Sequence, residues 1–121
     1  MILKHNQVLV SIRPLDFSFV MEERYADVFT LLERYNIKIN LVQSSAVNLS
    51  ISVDRTRRLP EAVEELKKLQ FRVVYNDDME LLTIRGYTKD LYDKIDSAES
   101  VYITQKTSRR VRVVRKKHGA Q

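Results

Sequence analysis

Between Ala26 and Asp54 the hydrophobic period changes from that of a helix to that of a strand within about two residues, and this limits what the chain can fold into. Val28, Leu31, Leu32 and Tyr35 recur at helical spacing, so the segment before Tyr35-Asn36 is an amphipathic helix with one adhesive face. From Ile37 the period is two. Ile37, Ile39 and Leu41 alternate with Lys38 and Asn40, and after a polar turn Leu49, Ile51 and Val53 alternate with Ser50, Ser52 and Asp54. A helix feeding a strand hairpin with one apolar face must be covered by further elements on that face.

The rest of the first half supplies them. Gln7 to Ile12 alternates and predicts a first strand, stopped at Arg13-Pro14 because Pro14 removes a donor and pushes Arg13 into extended geometry. A loop follows, with Asp16 and Ser18 as capping candidates and Glu22 and Glu23 in the first helical turn. Pro60 suits the start of a second helix whose apolar face is Ala62, Val63, Leu66 and Leu69. Phe71 to Tyr75 reads as a strand and Asn76-Asp77-Asp78 as a turn. The order strand, helix, strand, strand, helix, strand predicts an α+β, ferredoxin-like βαββαβ unit with both helices on one face of an antiparallel sheet.

A shorter second copy follows. Leu81 to Ile84 reads as a strand ended by Gly86, and Thr88 caps a short helix with Leu91, Tyr92 and Ile95 on its apolar side. Val101 to Gln105 and Arg109 to Val114 form a hairpin across Lys106-Thr107-Ser108. The expected division is residues 7–78, an abbreviated β-α-β-β unit at 79–117, and a tail at 118–121. Such a copy lacks a helix and a strand, so it should leave sheet edge or face uncovered and seek a partner.

At 121 residues, 44% hydrophobic and 31% charged, the chain can bury a modest core. It has no cysteine, which excludes disulfides and thiolate chemistry. No apolar run approaches the roughly 20 residues of a membrane span, and the start lacks a signal-peptide layout, so the cytoplasm is the expected location. Seven cations from Lys106 to Lys117 stand against a total of +5, leaving −2 for residues 1–105. The alternation of Arg110 and Arg112 with Val111 and Val113 reads as a solvated edge strand rather than a nucleic-acid footprint.

Catalytic motifs are missing. His5 and His118 lie near the ends, without a carboxylate pattern for metal binding or base catalysis. Asp77, Asp78 and Glu80 read as a wet turn, and Ser44-Ser45 lacks a base partner. With two glycines there is no phosphate-binding loop, and the six tyrosines lack the glycine-aromatic signature of an RNA-binding sheet. The expectation is no active site, no cofactor and no metal.

The first half also resembles the first ACT module in the regulatory region of aspartate kinases, where a helix ending in a pattern like "VF-x-x-L-x-R-x-N-I" runs into "D-L-I-T-T-S-E-V" and a strand ending in Asp. This chain has Val28-Phe29, Leu32, Arg34, Asn36-Ile37 and then Asn40-Leu41-Val42-Gln43-Ser44-Ser45-Ala46-Val47. The resemblance implies a regulatory piece following a kinase domain in a parent chain, since the kinase's own signatures are absent. It implies a homodimer through ACT modules and a small amino-acid effector such as lysine or threonine. Carried over, the effector seat comprises Ser18, Phe19, Met21, Arg24 and Tyr25 at the helix start, with Ile39, Asn40, Ser45 and Ala46 on the strand and turn. Two positions depart from the lysine-sensitive pattern: Asn40 stands for Asp and Ala46 for Glu, so two anions suited to an ammonium are missing. The competing readings are a free-standing ACT amino-acid sensor and a ferredoxin-like nucleic-acid binder.

Overall fold

Two long strands, β1 (Ile2–Pro14) and β4 (Phe71–Arg85), carry the fold in the computed structural model, which describes residues 1–15, 21–96, 98 and 100–117. Between them come a 3-10 turn (Met21–Arg24), α1 (Tyr25–Arg34), β2 (Ile39–Ser44), β3 (Leu49–Asp54) and α2 (Leu59–Lys68). After β4 come α3 (Lys89–Asp96), β5 (Val101–Lys106) and β6 (Arg110–Lys116). The strands are hydrogen-bonded in the order β2-β3-β1-β4-β6-β5, giving an α+β chain with an antiparallel sheet. Contacts divide the chain into two units, Val8–Asn76 and Met1–Gln7 with Asp77–Gln121, and β1 and β4 each contribute to both.

The Val8–Asn76 unit has the expected ferredoxin-like strand order, β2-β3-β1-β4. Alternate residues of β1 (Val8, Val10, Ile12) and β3 (Leu49, Ile51, Val53) are fully or almost fully buried in one cluster with Phe71. The same cluster takes Val28, Leu31 and Leu32 from α1 and Leu59, Ala62, Val63 and Leu66 from α2. Both helices therefore cover one face, and each of the larger side chains, Ala62 apart, contributes about 1.5–3 kcal/mol by leaving water. The Asp16 and Ser18 caps lie outside the described residues. Glu22 and Glu23 fall in the 3-10 turn rather than in α1, whose first-turn acid is Asp27.

Both helices of this unit end on a left-handed residue. After α1, Asn36 (φ 55°) lets its own N–H reach Glu33 O at 2.9 Å and the Ile37 N–H reach Leu32 O at 3.0 Å. These bonds satisfy carbonyls that the helix end would orphan, and buried Ile37 joins Leu32 in the core. After α2 the same position is Gln70 (φ 70°), exposed, whose N–H bonds Lys67 O at 3.1 Å. A Cβ there is strained by about 1–2 kcal/mol. Gln70→Gly is expected to stabilise the chain by about 0.5–1 kcal/mol after glycine's own entropic penalty, read as a higher urea midpoint with unchanged slope.

The other unit has the order β1-β4-β6-β5, so Ile2–Gln7 stands beside the strands that follow residue 76. Its sheet thus has a strand that no reading of residues 79–117 alone supplies. Leu82, Ile84, Val111 and Val113 form its core, covered by Tyr92 and Ile95 of α3 together with Tyr87 and Val101. Thr88 Oγ1 accepts the Leu91 N–H at 3.2 Å, the cap expected for α3. The β5–β6 hairpin closes through Thr107, whose N–H reaches Arg110 O at 2.8 Å.

Two local expectations are corrected. Asn76-Asp77-Asp78 is not a turn, because β4 runs through it without a break. Asp78 takes φ 57°, and the Lys117 N–H reaches its carbonyl at 2.7 Å. Asp tolerates the left-handed region, so an irregularity inside one strand uses the same local preference as a turn. Asn6 (φ 53°) does likewise in β1. Second, β6 is not an edge strand, since β4 and β5 pair with it on either side. The alternation of cations and valines holds, with Val111 and Val113 fully buried, but the edge belongs to β5.

Candidate functional site

Of the residues implied as an effector seat, Ser18 and Phe19 lie outside the described residues, and Met21 is placed only as the first residue of the 3-10 turn. Arg24 is committed to structure. Its Nη2 donates to Leu69 O at 3.0 Å, at the end of α2, and its Nε to Asp27 Oδ2 at 3.2 Å. Its guanidinium lies 4.3 Å over the centroid of the Phe71 ring. A cation at a helix C-terminus is favourable there, and the contact ties the start of α1 to the α2–β4 junction. Tyr25, half-buried, packs edge-on against Phe29 with centroids 6.2 Å apart. Its hydroxyl is buried with no hydrogen-bond partner among the described residues.

Ile39 and Asn40 begin β2 after the α1 C-terminus, where pairing with β3 is interrupted between Ile39 and Leu41. The bulge sets Asn40 beside Asp54, the last residue of β3. Asn40 Nδ2 donates to Asp54 Oδ1 at 2.8 Å. The carboxylate absent from position 40 is thus present next door, though engaged. Ser45 and Ala46 sit past the far end of β2, about 17 Å along the strand from Asn40 at roughly 3.4 Å per residue. There Ser45 Oγ accepts the Asn48 N–H at 3.1 Å and donates to Asn48 O at 3.3 Å, holding the exposed β2–β3 turn. Ala46 is exposed in that turn.

The named residues fall on three elements of one unit: the start of α1, the start of β2 and the β2–β3 turn. Arg24 and Tyr25 stand at the start of α1. Ile39 and Asn40 lie beyond its other end, about 15 Å away along a ten-residue helix. Ser45 and Ala46 occupy a turn. Sequence reasoning missed Asp54 as the partner of Asn40; the signal was the acidic residue closing the strand opposite. It also missed a groove of about 340 Å³ between α1 and α2, with Arg34 from one helix and Glu65 from the other. Alternating apolar positions mark buried faces and give no hint of which polar residues flank a groove.

Among the described residues there is no group of three or more His, Asp or Glu placed to hold a metal ion. No described helix is long and apolar enough to cross a membrane.

No protein-family model matches the chain, and no curated protein sequence matches it. Solved structures do. A chain assigned as a C-terminal regulatory domain of aspartate kinase from Porphyromonas gingivalis W83 superposes with a TM-score of 0.80 and 19% identity, covering 95% of this chain and 84% of that one. Clostridium acetobutylicum aspartate kinase matches with a TM-score of 0.75 and 21% identity over 94% of this chain and 30% of its own. Escherichia coli aspartokinase III, in complex with lysine and aspartate, gives 0.72 and 20%, covering 93% of this chain and 28% of that enzyme. This chain thus spans less than a third of the whole kinases it matches. Its fold is that of the regulatory domains of aspartate kinases.

Proposed function

We propose that the chain is the regulatory region of an aspartate kinase, binding a small amino-acid effector and passing the signal to a kinase domain in the same parent chain. The observation that carries this reading is the agreement of fold over 93–95% of the chain with aspartate kinases and a regulatory domain of one, joined to the helix-strand pattern from Val28 to Val47. Lysine and threonine are the leading effectors, and the cytoplasm is the expected compartment. The chain itself does not phosphorylate. Thermal denaturation in the presence of each of the twenty amino acids tests this. A ligand at a hundredfold over its Kd adds about 2.7 kcal/mol, a clear rise in Tm. A flat response to all twenty would remove the effector.

The proposal includes a homodimer through the ACT modules. β2 is an edge strand with Val42 exposed at 42%, the turn after it exposes Val47 at 66%, and β5 is the other edge with Tyr102 exposed at 50%. Unpaired strand edges bearing apolar side chains favour pairing with another chain. Sedimentation equilibrium at micromolar concentration should report twice the 14.3 kDa chain mass; a monomer there would rule the dimer out.

A further inference from the structure

We propose a phosphate-binding site formed by Arg85, Arg109 and Arg110, where the β5–β6 hairpin meets the end of β4. All three residues lie in the unit formed by Met1–Gln7 and Asp77–Gln121. In the β4–β6 register Arg85 stands directly opposite Arg110. The Gly86 N–H donates to Arg109 O at 3.0 Å, which makes the adjoining pair, Arg85 with Arg110, a non-hydrogen-bonded one. Side chains of such pairs come closest, with Cβ atoms roughly 4.5–5.5 Å apart. Two guanidinium groups therefore leave one face of the sheet side by side, which costs stability until an anion lies between them.

No carboxylate answers them. Among the described residues neither Arg85 nor Arg110 has an ion pair, and both are exposed, as is Arg109. Leu82, Ile84, Val111 and Val113 pack toward α3, so Arg85 and Arg110, which alternate with them, project from the opposite face. The α3 acids Asp90 and Asp93 are thus on the other side of the sheet. The chain arriving from α3 meets β6 where Val101 pairs with Arg115, about 17 Å along the strand from Arg110. The hairpin turn holds the arginine backbone still: Thr107 Oγ1 accepts the Arg110 N–H at 3.0 Å and the Arg109 N–H at 3.4 Å. Tyr87 pins the same turn by donating its hydroxyl to Thr107 O at 2.6 Å. A frame fixed in advance lowers the ordering cost of binding. A phosphomonoester, close to doubly charged above its second pKa of about 6, matches two guanidinium forks, whereas a carboxylate brings one charge. The ligand is a free phosphate or the phosphoryl end of a small molecule. This site shares no residue with the effector seat and does not rest on the regulatory reading.

Titration of the full chain at pH 7.5 with inorganic phosphate and with glycerol phosphate, at ionic strength held constant with chloride, tests it. Arginine Nε–H NMR signals of Arg85, Arg109 and Arg110 should shift with a Kd on the order of 1–10 mM, and acetate should leave them unmoved. Tighter binding of glycerol phosphate would assign the site to a phosphoryl ester, and equal binding to free phosphate. At pH 5, where the ester carries one charge, its affinity should fall at least about threefold. Arg85→Glu should abolish the response while raising the urea midpoint, because it turns a like-charge pair into an opposite one. Loss of binding in that variant is then not loss of fold. Arg110→Gln should weaken binding about fivefold or more. Shifts no larger than those from chloride, an equal response to acetate, or a response retained in Arg85→Glu would each overturn the site. So would micromolar binding of single-stranded RNA at the same arginines, which would make the patch a nucleic-acid surface.

Discussion

Phe71→Ala is expected to lower the folding stability of the chain by about 3–5 kcal/mol, the range for emptying a large core position. Phe71 is 1% exposed, at the start of β4, in the cluster that joins both helices of its unit to β1 and β3. Truncation removes the ring's transfer energy and leaves a cavity that a sheet face bordered by two helices cannot easily close. It also strips Arg24 of the ring lying 4.3 Å beneath its guanidinium, while Arg24 still donates to Leu69 O. Against a total stability of about 5–15 kcal/mol, the loss is large enough to unfold a substantial fraction of the chain. Urea denaturation should show a much lower midpoint at unchanged slope, with Phe71→Leu losing less than about 1.5 kcal/mol if it repacks. A double-mutant cycle with Arg24→Met should return a coupling of about 0.5–2 kcal/mol. Additivity within error would show that Arg24 takes no support from the ring.

Asn40→Asp is expected to destabilise by about 1–3 kcal/mol at neutral pH. In the folded chain Asn40 Nδ2 donates to Asp54 Oδ1 at 2.8 Å, in a partly buried pair. The substitution replaces that bond with two carboxylates in contact, and one of them is forced to bind a proton more readily than an ordinary aspartate. The folded pKa of the pair is then raised above the unfolded value of about 3.9, so the folded state holds more protons than the unfolded one near that pH. The penalty is complete above the raised pKa and disappears as pH falls through it toward about 4. Stability curves of the variant and the parent should therefore converge on acidification; a constant gap would mean that the loss is steric. The same variant bears on the proposed effector. An added ammonium between the two carboxylates offsets their repulsion, so lysine should recover part of the lost stability in Asn40→Asp. Adding Ala46→Glu should not help unless the effector also reaches the turn, which lies about 17 Å from position 40 along the strand. Calorimetry on the single and double variants decides whether the seat is one place or two.

Much of the Val8–Asn76 unit was legible from period and punctuation. The switch from a helical to a two-residue repeat at Ile37, the break at Tyr35-Asn36 and the Pro60 start all concern neighbours in the chain, whose preferences act before any tertiary contact forms. What failed were statements about partners distant in sequence. Asn76-Asp77-Asp78 has the composition of a turn, yet the strand continues, with the Asp77 carbonyl accepting from Lys116 Nζ and the Asp78 carbonyl from the Lys117 N–H. The cation-valine alternation of β6 gives the same pattern on an interior strand as on an edge, because side-chain direction is set by the pleat and edge status by which strands lie alongside.

The candidate site divides in the same way. Local sequence marks Ser45 as a turn-former and Arg24 as a cation near a helix start, and the structure has Ser45 Oγ bonded within the β2–β3 turn and Arg24 as the residue before α1. That Asn40 meets Asp54, that Arg24 reaches across to Leu69 and Phe71, and that Glu80 faces Arg115 are facts of pairing between segments 14 to 47 residues apart. The helices, most of the strand segments and the apolar faces follow from propensity and period within a few residues of chain. Which charges face one another, and that the opening strand contributes to both units, follow only from strands distant in sequence coming to lie side by side. Those depend on the register of distant strands, which a one-residue slip would reverse from one face of the sheet to the other.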